Sequence, residues 1–227
     1  MAGAGRTDAG VHAAGQVARV RLEWRHGPDT LRRALNAILP PDLAVVGAAG
    51  TTAGFDPRRD AIERHYRYAI LHRPARSPLL RRSAWWVPVP LGVRAMRVAA
   101  ALFRGRHDFA AFCTAAARAR GSVRHLARCV VTMRGPLILL DVSARGFLHR
   151  MVRMIAGAVV AAGAGRLAPA RIRQALARGE RVPVADAAPP QGLCLLAVRY
   201  PGERPGRLPD WPVGGCNNSP RGIVSAW

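Results

Sequence analysis

The chain has 227 residues, of which 50% are hydrophobic and 21% are charged, and this composition is typical of a globular protein with one large or two small domains. It excludes a chain that is disordered throughout, because half of the residues are available to build a core. No apolar run approaches the roughly 20 residues that cross a bilayer, and the first residues lack the apolar stretch of a signal peptide. We therefore expect a soluble, cytoplasmic protein with no membrane partner.

The charge of the chain is strongly positive. All 35 basic residues are arginine, only 13 residues are acidic, and the formal net charge is +22. Residues 58–82 hold eight arginines against Asp60 and Glu63, and residues 109–179 hold twelve against Asp141 alone. Such an excess attracts phosphate backbones, so it favours a nucleic-acid partner. The alternative is a solvated surface in an arginine-rich proteome, which explains arginine in place of lysine but not the deficit of acidic residues.

Hydrophobic spacing predicts the secondary-structure elements in chain order. Alternation over 18–22 predicts a first strand, and Leu31, Leu35 and Ile38 are spaced as on one face of a helix. Further strands are predicted at 43–48, 66–70, 123–133, 137–143 and 193–199, with a hairpin turn at 134–136, and further helices at 93–104, 147–159 and 169–179. Because strands outnumber helices and often follow each other directly, the pattern favours an α+β fold, with a largely antiparallel sheet and helices on one face.

Composition also predicts how the chain is divided. Around 88–90 the strand-rich first part gives way to a helix, so we place a boundary there between an N-terminal subdomain, 1–90, and a C-terminal subdomain, 91–202. Residues 203–227 are rich in proline and glycine and lack periodicity, which predicts a disordered or loosely docked tail.

Polar chemistry is concentrated near the start of the chain. Residues 3–12 contain three glycines together with Arg6, Thr7, Asp8 and His12. Glycines allow close backbone approaches, so such a loop can hold a polar group against a ligand. The glycine spacing does not fit the dinucleotide-binding fingerprint. Asp8 is either a turn residue that bonds its own backbone or a carboxylate nucleophile, and composition alone leaves both open.

Cysteine and histidine spacing argues against a metal enzyme. The four cysteines lie far apart, and no pair has the short spacing of a zinc knuckle or a redox motif. The seven histidines are equally scattered, and none pairs with another one helical turn away behind a glutamate. We therefore expect no metal.

Several segments match known sequence motifs, which are more specific than composition or periodicity. Residues 5–18, GRTDAGVHAAGQVA, resemble the signature of tRNA pseudouridine synthases of the TruA family. Further segments resemble family motifs in the same order: RHYRY at 64–68, HDFAAF at 107–112, GFLHRMVR at 146–153, APPQGL at 188–193 and VRYP at 198–201. The resemblance covers residues 3 to about 202. It implies a pseudouridine-synthase-like fold and a cofactor-free isomerisation of uridine, in which a glycosidic N–C bond is exchanged for a C–C bond.

The resemblance also implies the roles of individual residues. Asp8 matches the catalytic aspartate and Arg153 the active-site arginine, whose alternative role is a charge on a helix surface. Arg6 would occupy the space that the target base leaves when it is flipped out of the stack, and Thr7 would contact substrate beside it. Tyr66 would stack on the flipped uracil or supply a hydroxyl; its alternative role is core packing.

Two further residues complete the expected site. Leu193 would line the uracil pocket. His12 has no derivable catalytic role, and a structural hydrogen bond is the better interpretation.

The implied partner is tRNA, modified at positions 38 to 40 of the anticodon stem-loop by a homodimer that grips one tRNA across both subunits. This sequence also departs from the family pattern. Family members ordinarily begin with a strand that carries a YDG motif, whereas Met1 here lies four residues before Gly5, so we expect a truncated first subdomain with an unpaired edge at 16–22. Met154 stands where the family usually has asparagine. The alternative is therefore a truncated, catalytically inactive RNA-binding relative.

Overall fold

The computed structural model describes residues 1–180, 186–203, 208–212 and 224–225. Its strands are β1 (Ala2–Gly3), β2 (His12–Ala13), β3 (Ala18–Arg19), β4 (Glu63–His72), β5 (Trp85–Val87), β6 (Gly105–Asp108), β7 (Val123–Arg134), β8 (Leu137–Ala144), β9 (Leu193–Arg199) and β10 (Val224–Ser225). Its α-helices are α1 (Pro28–Ile38), α2 (Val93–Ala101), α3 (Ala115–Arg118), α4 (Met151–Gly163) and α5 (Pro169–Arg178).

Within the described ranges, seven strands form the main sheet, in the order β2-β9-β4-β8-β7-β6, with β5 paired to the end of β4. The β4–β8, β4–β9, β7–β8 and β6–β7 pairs are antiparallel, while β2–β9 and β4–β5 are parallel. This confirms the predicted α+β fold with a largely antiparallel sheet. The short strands β1, β3 and β10 form a separate small sheet.

Strand β4 lies between β8 and β9, and its alternating side chains reach both faces of the main sheet. We call the face that carries Tyr66, Tyr68 and Ile70 the front face. These three side chains belong to the large hydrophobic cluster that the sheet shares with α2, α4 and α5, which confirms helices on one face. We call the face with Ala69 and Leu71 the back face.

The helices on the front face pack closely because α4 is apolar on almost every side. Eleven of its thirteen residues are buried. A Cβ added at Gly163 would lie 2.5 Å from Met96 of α2, so the glycine permits the close approach of the two helices. Both α1 and α5 begin with proline, whose missing N–H and fixed φ suit the first helical turn.

Three of the predicted elements were wrong or misplaced. Residues 43–48 form no strand; instead, the Asn36 amide bonds both the N–H and the C=O of Val45, at 2.7 and 2.9 Å, and satisfies the backbone as a neighbouring strand would. The predicted helix at 147 begins at Met151, because Arg150 has a φ of 61°. The first predicted strand, 18–22, is shortened to β3. Because β3 pairs with both β1 and β10, residues 18–19 of the edge expected at 16–22 are not unpaired.

The main sheet crosses the predicted boundary at residue 90, since β4 lies between two strands from the second half of the chain. The prediction of a disordered tail falls mostly outside the described residues. Of that tail, residues 208–212 lie against the back face, where Trp211 packs on the hydrophobic cluster that includes Ala69 and Leu71. In the described part of the chain, none of the helices has the length and apolarity to cross a membrane.

Candidate active site

The loop between β1 and β2 presents Asp8 at the front face of the sheet. The Val11 N–H donates to the Asp8 carbonyl at 3.0 Å and closes a turn, which Gly10 completes with a φ of 79°. Glycine suits that position because the left-handed region is open to it. The Gln16 amide holds the start of the loop through the Gly5 carbonyl at 2.9 Å. The Asp8 backbone thus forms the turn, while its carboxylate is directed to other partners.

The Asp8 carboxylate contacts two basic side chains, one through each oxygen. Arg153 Nη1 donates to Oδ2 at 2.6 Å, and His149 Nε2 lies 3.2 Å from Oδ1. Arg153 is itself fixed, because its Nε donates to the Ala188 carbonyl at 2.7 Å and its own carbonyl accepts from the Ala188 N–H at 3.0 Å. The side chains of Asp8 and Arg153 are 22% and 13% exposed, so the ion pair is largely shielded from solvent. Both carboxylate oxygens are therefore held in place.

Helix α4 explains why Arg153 can reach this position. Its apolar residues fill the core, and Arg153 lies near its N-terminus, at the end that faces the loop of Asp8. The helix is fixed by packing on almost every side, so it delivers the guanidinium with little freedom. Arg153 is thus an ion-pair partner of Asp8 and not the solvated surface charge that was its alternative.

One cavity brings all six predicted site residues together. Its lining includes Arg6, Thr7, Asp8, Tyr66, Arg153 and Leu193, with Val11, Phe147, Arg150, Met151 and Val152. Arg6 and Thr7 are exposed at the rim, while Tyr66 and Leu193 are buried in the wall. The cavity therefore combines an apolar wall with one carboxylate and three guanidinium groups, those of Arg6, Arg150 and Arg153.

Tyr66 is the aromatic group of the cavity. Its ring meets Phe147 edge-on, with centroids 5.1 Å apart and an interplanar angle of 86°. Burial raises the pKa of Tyr66 to about 12, and the Asp8 charge acts in the same direction against the opposing charge of Arg64. Near neutral pH the phenol is therefore uncharged, so it offers a hydroxyl and a ring rather than an anion.

Arg64 is a positioning residue that the sequence analysis did not identify. It is only 6% exposed, and its Nε and Nη2 donate to the Ala4 carbonyl at 3.0 and 2.6 Å. It also donates to the carbonyls of Arg58 and Arg145. Burial and the neighbouring arginines lower the pKa of Arg64, but a guanidinium keeps its charge in proteins. One side chain thus joins the start of the Asp8 loop to the segment that leads into α4.

His149 and Phe147 were also missed as site residues. Both lie in the GFLHRMVR segment, and an exposed histidine four residues before Arg153 was the available signal. His12, in contrast, has the structural role that was expected: its Nε2 lies 2.5 Å from the Arg82 carbonyl, and its ring lies 5.8 Å from that of Trp211.

Comparisons with known proteins agree with this geometry. A family model described as tRNA pseudouridine synthase matches residues 99–201. The tRNA pseudouridine synthase A of Geotalea daltonii is 43% identical over 196 residues, which are 86% of this chain and 80% of that protein. Those of Methylobacterium nodulans and Myxococcus xanthus are 45% and 43% identical, over 87% and 92% of this chain and 78% and 79% of their own lengths. Identity at this level over most of both chains shows that the protein belongs to the tRNA pseudouridine synthase A family.

Proposed function

We propose that this protein isomerises uridine to pseudouridine in tRNA, at positions 38 to 40 of the anticodon stem-loop. The observation that carries the proposal is the Asp8 carboxylate, held by Arg153 at 2.6 Å in a cavity that all six motif residues line. In this reaction the bond from C1′ to N1 of uracil breaks, a bond from C1′ to C5 forms, C5 loses its proton and N1 gains one. Atoms and charge balance without a cofactor.

Asp8 acts on the ribose or the uracil while the C1′–N1 bond breaks or after it has broken. It serves either as a nucleophile or as an electrostatic partner. Arg153 and His149 fix its two oxygens. Because the carboxylate is already oriented, the reaction loses less entropy on the way to the transition state. Tyr66 supports the uracil ring from the apolar wall, and its neutral hydroxyl can donate a hydrogen bond. Leu193 closes the wall beside Tyr66.

The rim of the cavity suits a base that has been flipped out of an RNA stack. Arg6 is exposed there, and its planar cation can stack on neighbouring bases or bond a phosphate. Twelve arginines against one acidic residue over 109–179 supply the surrounding positive field. Affinity for RNA therefore comes chiefly from arginines, and chemistry from one carboxylate.

We further propose that the enzyme acts in the cytoplasm as a homodimer that holds one tRNA across both subunits, as family membership implies. Sedimentation at micromolar concentration, with and without tRNA, tests this assembly. A species of two chains and one tRNA is the expected result, and a monomer at every concentration would contradict it.

The activity is tested with unmodified tRNA that carries tritium at C5 of uridine, by measuring tritium release and mapping the modified positions. We expect release from the wild type at positions 38 to 40, and none from Asp8→Asn, with the affinity for tRNA retained. Asp29→Asn is the matched control, because Asp29 is 88% exposed on α1 and does not line the cavity. Binding without release by the wild type would favour the inactive RNA-binding relative, and full activity of Asp8→Asn would refute the assignment of Asp8.

A further inference from the structure

Arg150 has an unusual backbone conformation beside the catalytic cavity. Among the described residues it is the non-glycine residue with positive φ, at 61°, and it precedes the first turn of α4. Side chains disfavour the left-handed region, so such a conformation persists only where the surroundings enforce it, and it occurs preferentially at functional sites.

The Arg150 guanidinium is available to a ligand. The residue is exposed, and within the described part of the chain its side chain takes part in no hydrogen bond or ion pair, unlike that of Arg153. It lines the catalytic cavity, and it also lines a second cavity. A free cation thus stands between two adjoining cavities.

The lining of the second cavity combines polar and apolar groups. It encloses about 220 Å³ and is lined by Cys113, Thr114, Ala115, Arg150, Met154 and Ala187. At about 30 Å³ per water molecule, that space holds roughly seven waters. None of these lining residues is acidic, the Met154 thioether makes favourable contacts with aromatic rings, and the Thr114 hydroxyl can donate or accept a hydrogen bond.

A chain of polar contacts connects this second cavity to the catalytic carboxylate. His149 Nδ1 lies 3.2 Å from Thr114 Oγ1, and His149 Nε2 lies 3.2 Å from Asp8 Oδ1. One imidazole therefore contacts both the wall of the second cavity and Asp8.

We propose that the second cavity binds the base of the nucleotide next to the target uridine in the same RNA strand, and that Arg150 contacts the phosphate between the two nucleotides. The inference rests on the proposed function, since it takes the catalytic cavity as the place of the target uridine. Neighbouring nucleotides are joined by a single phosphodiester, and Arg150 is the residue that the two described cavities share. The Met154 thioether contacts the ring of the base, and the cation binds its phosphate.

The experiment combines a change in the cavity with a change in the RNA. Ala115→Trp fills the cavity from an exposed position on α3, and Ala116→Trp is the matched control, exposed on the same helix but outside the cavity. Each protein is titrated by fluorescence anisotropy with an anticodon stem-loop RNA, intact or with an abasic nucleotide on the 5′ or the 3′ side of the target. A contact between one base and the Met154 thioether supports a change of up to about tenfold in Kd.

We expect Ala115→Trp to bind intact RNA about tenfold more weakly than wild type, and the wild type to lose the same factor on one of the two abasic RNAs. Ala115→Trp should lose nothing more on that abasic RNA, because the two changes remove one interaction. Ala116→Trp should bind as the wild type does. In the same titrations, Arg150→Gln should reduce the salt slope by the roughly 0.7 to 0.9 expected for one phosphate, and Arg150→Lys should keep it.

If the losses of affinity caused by Ala115→Trp and by the abasic nucleotide multiply, the two changes act independently and the inference is wrong. Equal effects of Ala115→Trp and Ala116→Trp on affinity would also overturn it. A wild type that binds both abasic RNAs as tightly as intact RNA would overturn it too. The proposed function is read separately, from tritium release by the wild type on intact RNA. Binding that follows the expected pattern without any release would refute the function and leave the base-binding cavity in place.

Discussion

Strand β4 carries two buried arginines three residues apart, and they face opposite sides of the sheet. Arg67 lies on the back face, where its Nε and Nη2 meet the two oxygens of Asp141 at 2.9 and 3.3 Å. Arg64 lies on the front face and donates only to backbone carbonyls. The first arginine neutralises a buried carboxylate and stabilises the sheet. The second keeps its full charge beside the cavity that holds Asp8, and it joins two of the segments that build this cavity.

The surroundings of Asp141 show how the back face tolerates its charges. Burial alone would raise the pKa of Asp141, but hydrogen bonds from His65 and Arg67, with the charge of Arg67, lower it below its usual value. Residues 208–212 cover this cluster, and the Trp211 carbonyl accepts from Arg67 at 3.3 Å. We therefore expect changes in the Arg67–Asp141 pair to affect stability, and changes at Arg64 to affect catalysis.

The largest effect is expected from Asp141→Asn. The substitution leaves the buried Arg67 with one more distant carboxylate, that of Asp210 at 3.9 Å, and breaking a buried ion pair costs about 3–5 kcal/mol of unfolding free energy. Denaturation by urea measures the loss, and the kcat of the protein that remains folded at low temperature should be unchanged. Asp210→Asn is the control, since Asp210 is 47% exposed and its loss should cost under about 1 kcal/mol. A fall in kcat at unchanged stability would contradict the division between the two faces.

The next effect is expected from Arg64→Lys. Lysine keeps the charge but has no planar fork to reach three carbonyls, so the Asp8 loop and the segment before α4 lose their common anchor. A displacement of about 1 Å at the reacting groups can lower the rate roughly a hundredfold. Steady-state tritium release should show this in kcat, with little change in KM. Arg67→Lys on the back face is the matched control. It should lower the midpoint of unfolding and leave kcat nearly unchanged.

A smaller effect is expected from acid. Because the pKa of Asp141 is lower in the folded protein than in the unfolded chain, its contribution to stability is complete above the unfolded value of about 3.9. That contribution is lost as the pH falls through the lower, folded value. The difference in unfolding free energy between wild type and Asp141→Asn should therefore be constant at neutral pH and shrink below about pH 4. If the difference in unfolding free energy instead grows as the pH falls, the pKa of Asp141 is not lowered by folding.

The smallest effect is expected from Arg150→Gly, which relieves the left-handed backbone conformation at the start of α4. A strained non-glycine residue costs about 1–3 kcal/mol, and the greater freedom of glycine in the unfolded chain offsets part of the gain. We expect the Tm to rise by about 2–4 °C for about 1 kcal/mol, while affinity for RNA falls. Arg150→Ala removes the same side chain without relieving the backbone, so its Tm should not rise.

Much of the fold could be predicted because its elements have strong local patterns. The alternation in β4, the β7–β8 hairpin around 134–136 and the apolar run of β9 each specify a strand without help from distant residues. The run at 43–48 was misassigned because an asparagine amide, and not a neighbouring strand, satisfies its backbone. The start of α4 was misassigned because the pattern of apolar residues carries no information on the φ of Arg150.

The candidate site was predictable only in part. The motif letters supplied Asp8, Arg153 and their four companions, which the structure brings around one cavity. The roles of Arg64 and His149 depend on contacts between residues 60 to 141 positions apart, such as Arg64 with the Ala4 carbonyl and His149 with Asp8. No periodicity within a segment reports such contacts, so only the folded chain reveals them.

The position of β4 also determines when the enzyme becomes competent during its synthesis. Its first residue, Glu63, binds Arg199 at the end of β9, 136 positions later. At about 5–20 residues per second, roughly 7–30 s separate the synthesis of these two residues. During that interval β4 lacks β9, and the cavity lacks Leu193. The nascent chain therefore carries most of its arginines before the cavity around Asp8 is complete.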